Sequence, residues 1–491
     1  MLRLMKIKEK KILGQRNNHL SCTAVLVGKR ASIDGSTMIA RNEDAHGGIN
    51  PKKFIVVKPQ DQPNEFKSTF NNFHLKLPKK AQRYTETPCA DTSNGIWGES
   101  GINSENVAMS ATETEFTNSE TLAADPLVKD GIGEEAMVTI ILPYIHSAKE
   151  GVKLLGKIIN KYGTCESNGI AFSDKNEIWY LETVGGHHWA AERIPDKCYV
   201  IAPNQTGIEE INFKDPDSFL FSPDLKIFAT KNHLIKSQEK FNFREIFGED
   251  TRSDRYYNTP RVWFGQKYLN PEIKQNPESR NMPFTRIPSH LISINDLSLI
   301  LSSHYQGTEF DPYGKVGTKE TRHRYRPMGI NRNQEMHILQ LRPGIEKKHS
   351  AIHWLAEGVN IFNSPVPFFA NCTTTPLNFS NTSMNISTEN FYWLNKLIAG
   401  LADPLFKEHD VTSINYVSDN RKLGFSKGKE RVKRGDKEFK KISLDEIESW
   451  HNKFNNKTAQ FFTTNLKTLL KELLTLRSEK MSTTFPKGGE I

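Results

Sequence analysis

The chain lacks the residue patterns that mark several common protein classes. It contains only five cysteines in 491 residues, and no two of them form a Cys-x-x-Cys pair. This small and uneven number of cysteines excludes a disulfide framework and a thiolate zinc site, and it indicates that the thiols are reduced. No apolar run approaches the roughly 18 residues that a membrane helix needs, and the N-terminal leader lacks the apolar segment of a secretory signal. We therefore expect a cytoplasmic protein without a membrane partner.

Motifs for metal-dependent or serine hydrolysis are also missing. No His-Glu-x-x-His or comparable ligand spacing occurs, so we expect neither a metal nor another cofactor. The run Gly98-Glu99-Ser100-Gly101 does not have the spacing of a nucleophile elbow. A hydrolase built from this sequence would therefore use another kind of nucleophile.

The net charge of +9 is concentrated in two segments. Residues 1–21 contain six Lys or Arg against one Glu, and residues 421–441 contain ten Lys or Arg against three acidic residues. The rest of the chain then has a net charge of −3. Because the excess of positive charge is confined to two segments that we expect to be exposed, we do not expect a nucleic-acid partner.

The composition of the whole chain, with 36% hydrophobic and 10% aromatic residues, is typical of a globular protein. Short β-rich segments joined by tight turns such as Asp34-Gly35-Ser36 predict antiparallel pairing. The predicted strands are Cys22–Val27, Thr37–Arg41, Lys53–Lys58, Asn106–Thr112, Gly169–Ser173, Glu177–Val184, His188–Arg193 and Cys198–Ala202.

Two segments have the apolar spacing of amphipathic helices. One is Lys149–Tyr162, followed by Gly163 as a stop signal, and the other is Ser443–Arg477, which opens with a Ser443 and Glu446 capping box. We predict that the basic segment 421–441 is a solvated loop. The long C-terminal helix is expected to pack on the body or on a second copy of the chain, which would make a homo-oligomer.

Cys22 is the candidate nucleophile, because Arg41 and Asp44 lie at the end of the next apolar run. A guanidinium favours a thiolate, and a carboxylate can hold an ammonium group in place. The alternatives are a buried cysteine packed as a small hydrophobic residue and a surface ion pair. If Cys22 were the first residue, its own α-amine could act as the base, as in N-terminal threonine enzymes. That mechanism requires removal of residues 1–21.

Five blocks in the order SCTAVLVGKRASIDGSTMIARNED, GESGINSENVAMSATET, AERIPDKCYVIAPNQ, YNTPRVWF and RPMGINRNQEMHILQ closely resemble the dipeptidase A family of N-terminal nucleophile hydrolases. The resemblance extends from Cys22 to about Ala402. It implies an α+β fold, a four-layer αββα sandwich of two antiparallel sheets with outer helices. It also implies hydrolysis of dipeptides through a thioester acyl-enzyme without a metal. The corresponding domain division is a leader at 1–21, a catalytic domain at 22–420 and a basic and helical C-terminal segment at 421–491.

The resemblance also suggests a role for individual residues. Cys22 resembles the nucleophile, and Arg41 resembles the arginine beside the thiol. Asp44 matches the carboxylate that orients the α-amine, and Asn204 matches an oxyanion-hole asparagine whose amide N–H donates without carrying a charge. Arg261 resembles a further arginine near the nucleophile. The alternatives are an ordinary turn for Asn204 and a helix-surface arginine on Trp263 for Arg261.

Glu113 departs from the family pattern, because related acylases carry an asparagine at this position. A carboxylate cannot donate as an amide does unless it is protonated. We predict instead that Glu113 binds the ammonium group of a dipeptide. Arg326, with Arg332 and Glu335, is interpreted as a structural network or as part of the pocket lining.

Two other functions stay open at the level of sequence. The same set of residues around Cys22 could serve an amidase or acylase that acts on a non-peptide amide. A non-catalytic relative of the secernin type is the second alternative, because a Cys22 that is never exposed as residue one has an amide instead of an amine.

Overall fold

The structure is a computed structural model that describes residues 22–45, 49–236 and 240–481. The leader 1–21, whose removal the predicted mechanism requires, lies outside these residues.

Most of the strands belong to two antiparallel sheets. In chain order the strands are β1 (Thr23–Val27), β2 (Thr37–Asp44), β3 (Ile55–Val57), β4 (Glu65–Lys67), β5 (His74–Lys76), β6 (Tyr84–Glu86), β7 (Ser100–Ile102), β8 (Ala108–Thr114), β9 (Asn168–Ser173), β10 (Ile178–Val184), β11 (His188–Arg193), β12 (Tyr199–Ala202), β13 (Phe219–Phe221), β14 (Thr285–Arg286), β15 (Asn333–Leu341), β16 (Ala351–Glu357) and β17 (Val366–Phe369).

The larger sheet has the order β14-β12-β1-β2-β15-β16-β17, and the smaller has the order β13-β11-β10-β9-β8-β7. Strands β3 with β6 and β4 with β5 form two small pairs. Every pairing between two of these strands is antiparallel, as the short strands and tight turns predict. Strand β1 lies between β2 and β12, with Ala24 opposite both Arg41 and Ala202.

The helices connect and cover these strands. They are α1 (Ser119–Ala124), α2 (Glu134–Ile141), α3 (Ala148–Tyr162), α4 (Leu225–Lys231), α5 (Phe243–Phe247), α6 (Arg252–Tyr257), α7 (Thr259–Leu269), α8 (Ile294–Leu301), α9 (Lys319–Arg322), α10 (Lys347–Ser350), α11 (Leu377–Ser380), α12 (Phe391–Lys407), α13 (Val411–Phe439) and α14 (Ile447–Glu479), with 3₁₀ turns at Pro59–Asp61 and Leu142–Tyr144. Within the described ranges, none of the helices combines the length and the apolar character that crossing a bilayer requires.

The two large sheets share one apolar core. It joins Leu26 and Leu339 of the larger sheet to Ala171 and Tyr180 of the smaller. Successive residues of a strand point to opposite faces, so Val25 and its neighbours on the other face of the larger sheet pack in a second core, which includes helix α8. A mixed α/β molecule with stacked antiparallel sheets is consistent with the sandwich that the sequence predicts.

Helix α3 covers the outer face of the smaller sheet, as predicted. Val152 and Leu155 are buried in a core with Phe172 of β9. The Ser147 side chain accepts a hydrogen bond from the backbone N–H of Glu150 at the N-terminus, and Gly163 ends the helix with a φ of 72°. This is the left-handed conformation that glycine adopts without a steric penalty.

The prediction of a loop at residues 421–441 is wrong, because helix α13 includes residues 421–439. Asp410 caps this helix by accepting from the N–H of Ser413. The final helix begins at Ile447 instead of Ser443, whose hydroxyl bonds to the Glu446 carboxylate. Lysine and arginine are good helix formers, so a dense basic segment does not by itself indicate a loop.

Polar contacts fix the C-terminal helices to the body. Arg342, at the end of β15, donates twice to the Asp436 carboxylate of α13, with both distances at 2.8 Å. His349 lies 2.9 Å from Asp436 through Nε2 and 3.0 Å from Nε2 of His451 through Nδ1. One cluster therefore joins α13 and α14 to the strand and helix that precede β16.

Candidate functional site

Cys22 lies immediately before β1 and is fully buried. The neighbouring strand β2 carries Arg41, whose Nη2 lies 3.0 Å from the Cys22 sulfur. Cys22 and Arg41 come together because β1 and β2 form a hairpin, in which Thr23 faces Asn42. The guanidinium is therefore placed where it stabilises a thiolate.

Carboxylates from other parts of the chain surround Arg41. Its Nη1 donates to Glu99 at 2.7 Å, its Nη2 lies 3.2 Å from Glu134, and its Nε lies 3.3 Å from Glu113. Nη2 also donates to the carbonyl oxygen of Thr112. All three acidic side chains are buried, so the arginine is held in position by carboxyl groups from β8, from helix α2 and from the residue just before β7.

This environment does not generate a thiolate at Cys22 unaided. Burial raises the pKa of the thiol well above its ordinary value, and the positive charge of Arg41 opposes that effect. Glu113, Glu134 and Asp44 raise the thiol pKa further. The sulfur therefore needs a proton acceptor to react near neutral pH.

Asp44, at the end of β2, is fully buried and held on two sides. It accepts a hydrogen bond from Arg326, and its Oδ1 accepts from Asn333 Nδ2 at 3.0 Å. These contacts fix the orientation of the carboxylate and keep its charge compensated.

Arg261, in helix α7, connects Asn204 to Cys22. Its Nη1 donates to the carbonyl oxygen of Cys22 and to the Thr23 hydroxyl, the latter at 2.8 Å. Its Nη2 donates to Oδ1 of Asn204 at 2.9 Å. Burial and the nearby charge of Arg326 lower the pKa of Arg261 to about 10. Arg261 is thus a buried linker and not the helix-surface arginine of the alternative interpretation.

Glu113 has both carboxylate oxygens buried. Neither oxygen accepts a hydrogen bond from a residue that the structure describes, although Oε1 is near Arg41. Burial raises the pKa of this carboxyl to about 8, while Arg41 and Arg261 oppose the rise. A buried carboxyl group that accepts no hydrogen bond from the protein can accept a hydrogen bond from a ligand.

The structure therefore brings Cys22, Arg41, Asp44, Asn204, Arg261 and Glu113 into one connected region. Sequence reasoning missed Glu99, Glu134 and Asn333, because they come from other parts of the chain and no local motif marks them. Arg326 was predicted to belong to a structural network or to line the pocket, and its ion pair is with Asp44 instead of Glu335. Glu335 binds Nδ1 of His337 at 2.7 Å, and Arg332 Nη2 lies 3.4 Å from the Tyr257 hydroxyl.

Comparison with known proteins identifies a family that covers most of the chain. The model of peptidase family C69 matches residues 21–419. A probable dipeptidase A from Streptococcus pyogenes serotype M3 is 52% identical over 408 residues, which is 82% of this chain and 88% of the relative. A dipeptidase from Bifidobacterium longum is 47% identical over 433 residues, 82% of this chain and 81% of the relative. Dipeptidase A from Lactobacillus helveticus is 47% identical over 392 residues, 79% and 82% of the two chains.

Proposed function

Because the chain belongs to peptidase family C69, we propose that it is a cysteine-type dipeptidase whose nucleophile is the thiol of Cys22. The printed names of the three relatives support the substrate class. The observation that carries the assignment of the nucleophile is the 3.0 Å contact between Arg41 Nη2 and the Cys22 sulfur.

The reaction first requires a base that removes the proton of the Cys22 thiol. Cleavage of the bond between residues 21 and 22 exposes the α-amine of Cys22, which takes the thiol proton while the sulfur attacks the scissile carbonyl. The need for a base follows from the raised pKa of the buried thiol. Asp44 orients the resulting ammonium, with Arg326 and Asn333 holding the carboxylate in place.

The ammonium then returns its proton to the departing amino group as the carbon–nitrogen bond breaks, which leaves a thioester on Cys22. A water molecule loses a proton to the α-amine and attacks this thioester. The carbon–sulfur bond breaks, the thiol recovers its proton from the α-ammonium group, and the N-terminal residue of the dipeptide leaves as a free amino acid. No oxidant or reductant takes part.

Asn204 supplies the oxyanion hole in this scheme. Its Oδ1 accepts from Arg261, so the orientation of its amide is set, and Nδ2 is the donor that would meet the oxyanion. Arg261 acts through Asn204 and the Cys22 carbonyl, which makes it a positioning residue.

Glu113 is proposed to bind the substrate ammonium. In the empty site its pKa of about 8 favours the protonated acid near pH 7. An arriving ammonium group would favour the carboxylate and take the hydrogen bonds that Glu113 lacks. The same pairing would disfavour N-acylated substrates.

We further propose that the fold is the four-layer αββα arrangement of N-terminal nucleophile hydrolases, with a leader at 1–21, a catalytic domain at 22–420 and a C-terminal segment at 421–491 that packs on this domain. The core between the two sheets, with α3 outside one sheet and α8 outside the other, supports the layer order. A cytoplasmic location and self-association through the C-terminal helices stay predictions.

Two measurements test the proposed function. Intact mass spectrometry of the purified active protein should give a chain that begins at Cys22. Purified Cys22→Ala should lose dipeptide hydrolysis by at least about 1000-fold, because no other group replaces the nucleophile. The matched control is Cys198→Ala, a half-buried cysteine just before β12, which should keep wild-type activity. A full-length chain that is active, or an active Cys22→Ala variant, would refute this mechanism.

A further inference from the structure

A pocket of about 540 Å³ lies beside the proposed catalytic residues. Its wall is formed by residues of α6 and of the segment after α9, mainly Arg252, Tyr256, Tyr257, His323, Arg324 and Arg326.

Arg326 belongs to both the pocket and the candidate site. It binds Asp44, and its Nη1 lies 3.5 Å from the hydroxyl of Thr23, the residue after the proposed nucleophile. The ring of Tyr257 lies 5.5 Å from the Arg326 guanidinium and 5.2 Å from that of Arg261. The inner end of the pocket is therefore the neighbourhood of Cys22.

The pocket has a surplus of positive charge. Glu278 compensates Arg324 at 2.7 Å, and Asp44 compensates Arg326. Arg252 is exposed and makes no ion pair with any residue in the described ranges, while its guanidinium lies 5.4 Å from the ring of Tyr256. A guanidinium held over an aromatic ring and open to solvent is suited to a planar carboxylate.

We propose that Arg252 binds the free C-terminal carboxylate of the dipeptide, an inference that rests on the proposed function. The carboxylate of a dipeptide belongs to the residue directly after the scissile bond, and the Cα atom of that residue is about 3.8 Å from the Cα atom before the bond. It therefore lies within the pocket that adjoins Cys22 and that Arg252 lines. A peptide amide lacks this charge, and a tripeptide carries it one residue further away.

The two ends of the substrate then meet opposite charges. The ammonium group goes to the buried acid Glu113, and the carboxylate goes to the cationic pocket. This arrangement selects dipeptides by length as well as by chemistry, because both ends are recognised at once.

The test compares alanyl-alanine with alanyl-alanine amide by kcat/KM. The wild-type protein should favour the free acid by at least about 10-fold. Arg252→Gln should lose about 10-fold on alanyl-alanine, mainly through KM, and stay within about twofold on the amide. Arg252→Lys, which keeps the charge, should recover part of the loss. The matched control is Arg255→Gln, because Arg255 lies on the same helix but pairs with Asp250 at 2.9 Å and does not line the pocket.

Equal losses on the acid and the amide in Arg252→Gln would overturn the inference, as would a wild-type protein that does not distinguish the two substrates. Failure of the proposed function has a different signature: a mature, folded wild-type protein would then hydrolyse no dipeptide, and the inference would fall with it.

Discussion

Among single residues, Glu113 combines the energetic cost of a buried carboxyl without a hydrogen bond with a proposed role in substrate binding. Its carboxyl is buried near Arg41, without a hydrogen bond from any residue described. The folded chain keeps it protonated up to a pKa of about 8, whereas the ordinary value is 4.5. Between these values the unfolded chain releases a proton that the folded chain retains. The stability that Glu113 contributes is therefore present below about pH 4.5 and is lost as the pH rises toward 8.

We expect Glu113→Gln to flatten the fall in unfolding free energy between pH 5 and pH 8. The difference in slope should reach up to about 1.4 kcal/mol per pH unit, because glutamine does not ionise. Urea unfolding at several pH values measures it. Glu479→Gln, at the exposed end of α14, is the control and should leave the slope unchanged. Parallel curves for Glu113→Gln and wild type would contradict the prediction.

The proximity of Cys22 and Arg41 could be predicted from the sequence, whereas the acidic side chains around Arg41 could not. Cys22 and Arg41 are close in the chain, so a hairpin is enough to join them. Glu99 and Glu134 reach Arg41 from the residue before β7 and from α2. Which residue of a second sheet faces a given strand depends on tertiary packing, and hydrophobic periodicity does not encode it.

At the scale of elements, α13 differs most from its prediction. Its buried face contains Gly424, Gly428 and Gly435. A Cβ atom at Gly435 would lie 2.5 Å from the ring of Phe369, and one at Gly428 would lie 2.9 Å from the ring of Trp354. These glycines therefore allow the helix to approach β16 and β17 closely. By contrast, α3 has apolar spacing and a terminal glycine, and its prediction is within one residue of the structure.

Gly435→Ala should destabilise the protein by about 1–2 kcal/mol. The overpacking penalty of about 1–3 kcal/mol exceeds the gain in helix propensity of at most about 1 kcal/mol. Gly400→Ala in α12 is the matched control, because its added Cβ meets no atom within 4 Å, and it should be neutral or stabilising. Urea unfolding of both variants measures the difference. Equal changes in the free energy of unfolding at the two positions would show that helix propensity alone determines the effect.

At the scale of the whole molecule, the C-terminal segment shares a core with the body. The family model ends at residue 419, within α13. Nevertheless Phe462, Leu466 and Leu469 of α14 are buried in the same cluster as Phe362 and Phe368. Sequence periodicity predicted that the final helix is amphipathic, but not which surface it covers.

A chain truncated after residue 420 should therefore be poorly soluble and inactive. It would expose the apolar cluster that α14 covers and would lose the Asp436 contacts to Arg342 and His349. Soluble yield, dye binding to exposed apolar surface and dipeptide hydrolysis measure the outcome. Deletion of residues 482–491, which follow the last helix, is the control. A truncated chain with wild-type activity and unfolding midpoint would refute this prediction.

The buried face of α13 that contains the three glycines also limits which amino-acid substitutions this protein tolerates. Glycine is the smallest residue, so every missense mutation at positions 424, 428 and 435 adds atoms to a contact that has no space for them. In a saturation mutagenesis experiment, these positions would resemble a functional site in their intolerance, although their role is steric. An intolerance map of this chain would therefore mark two regions, one for chemistry around Cys22 and one for close packing.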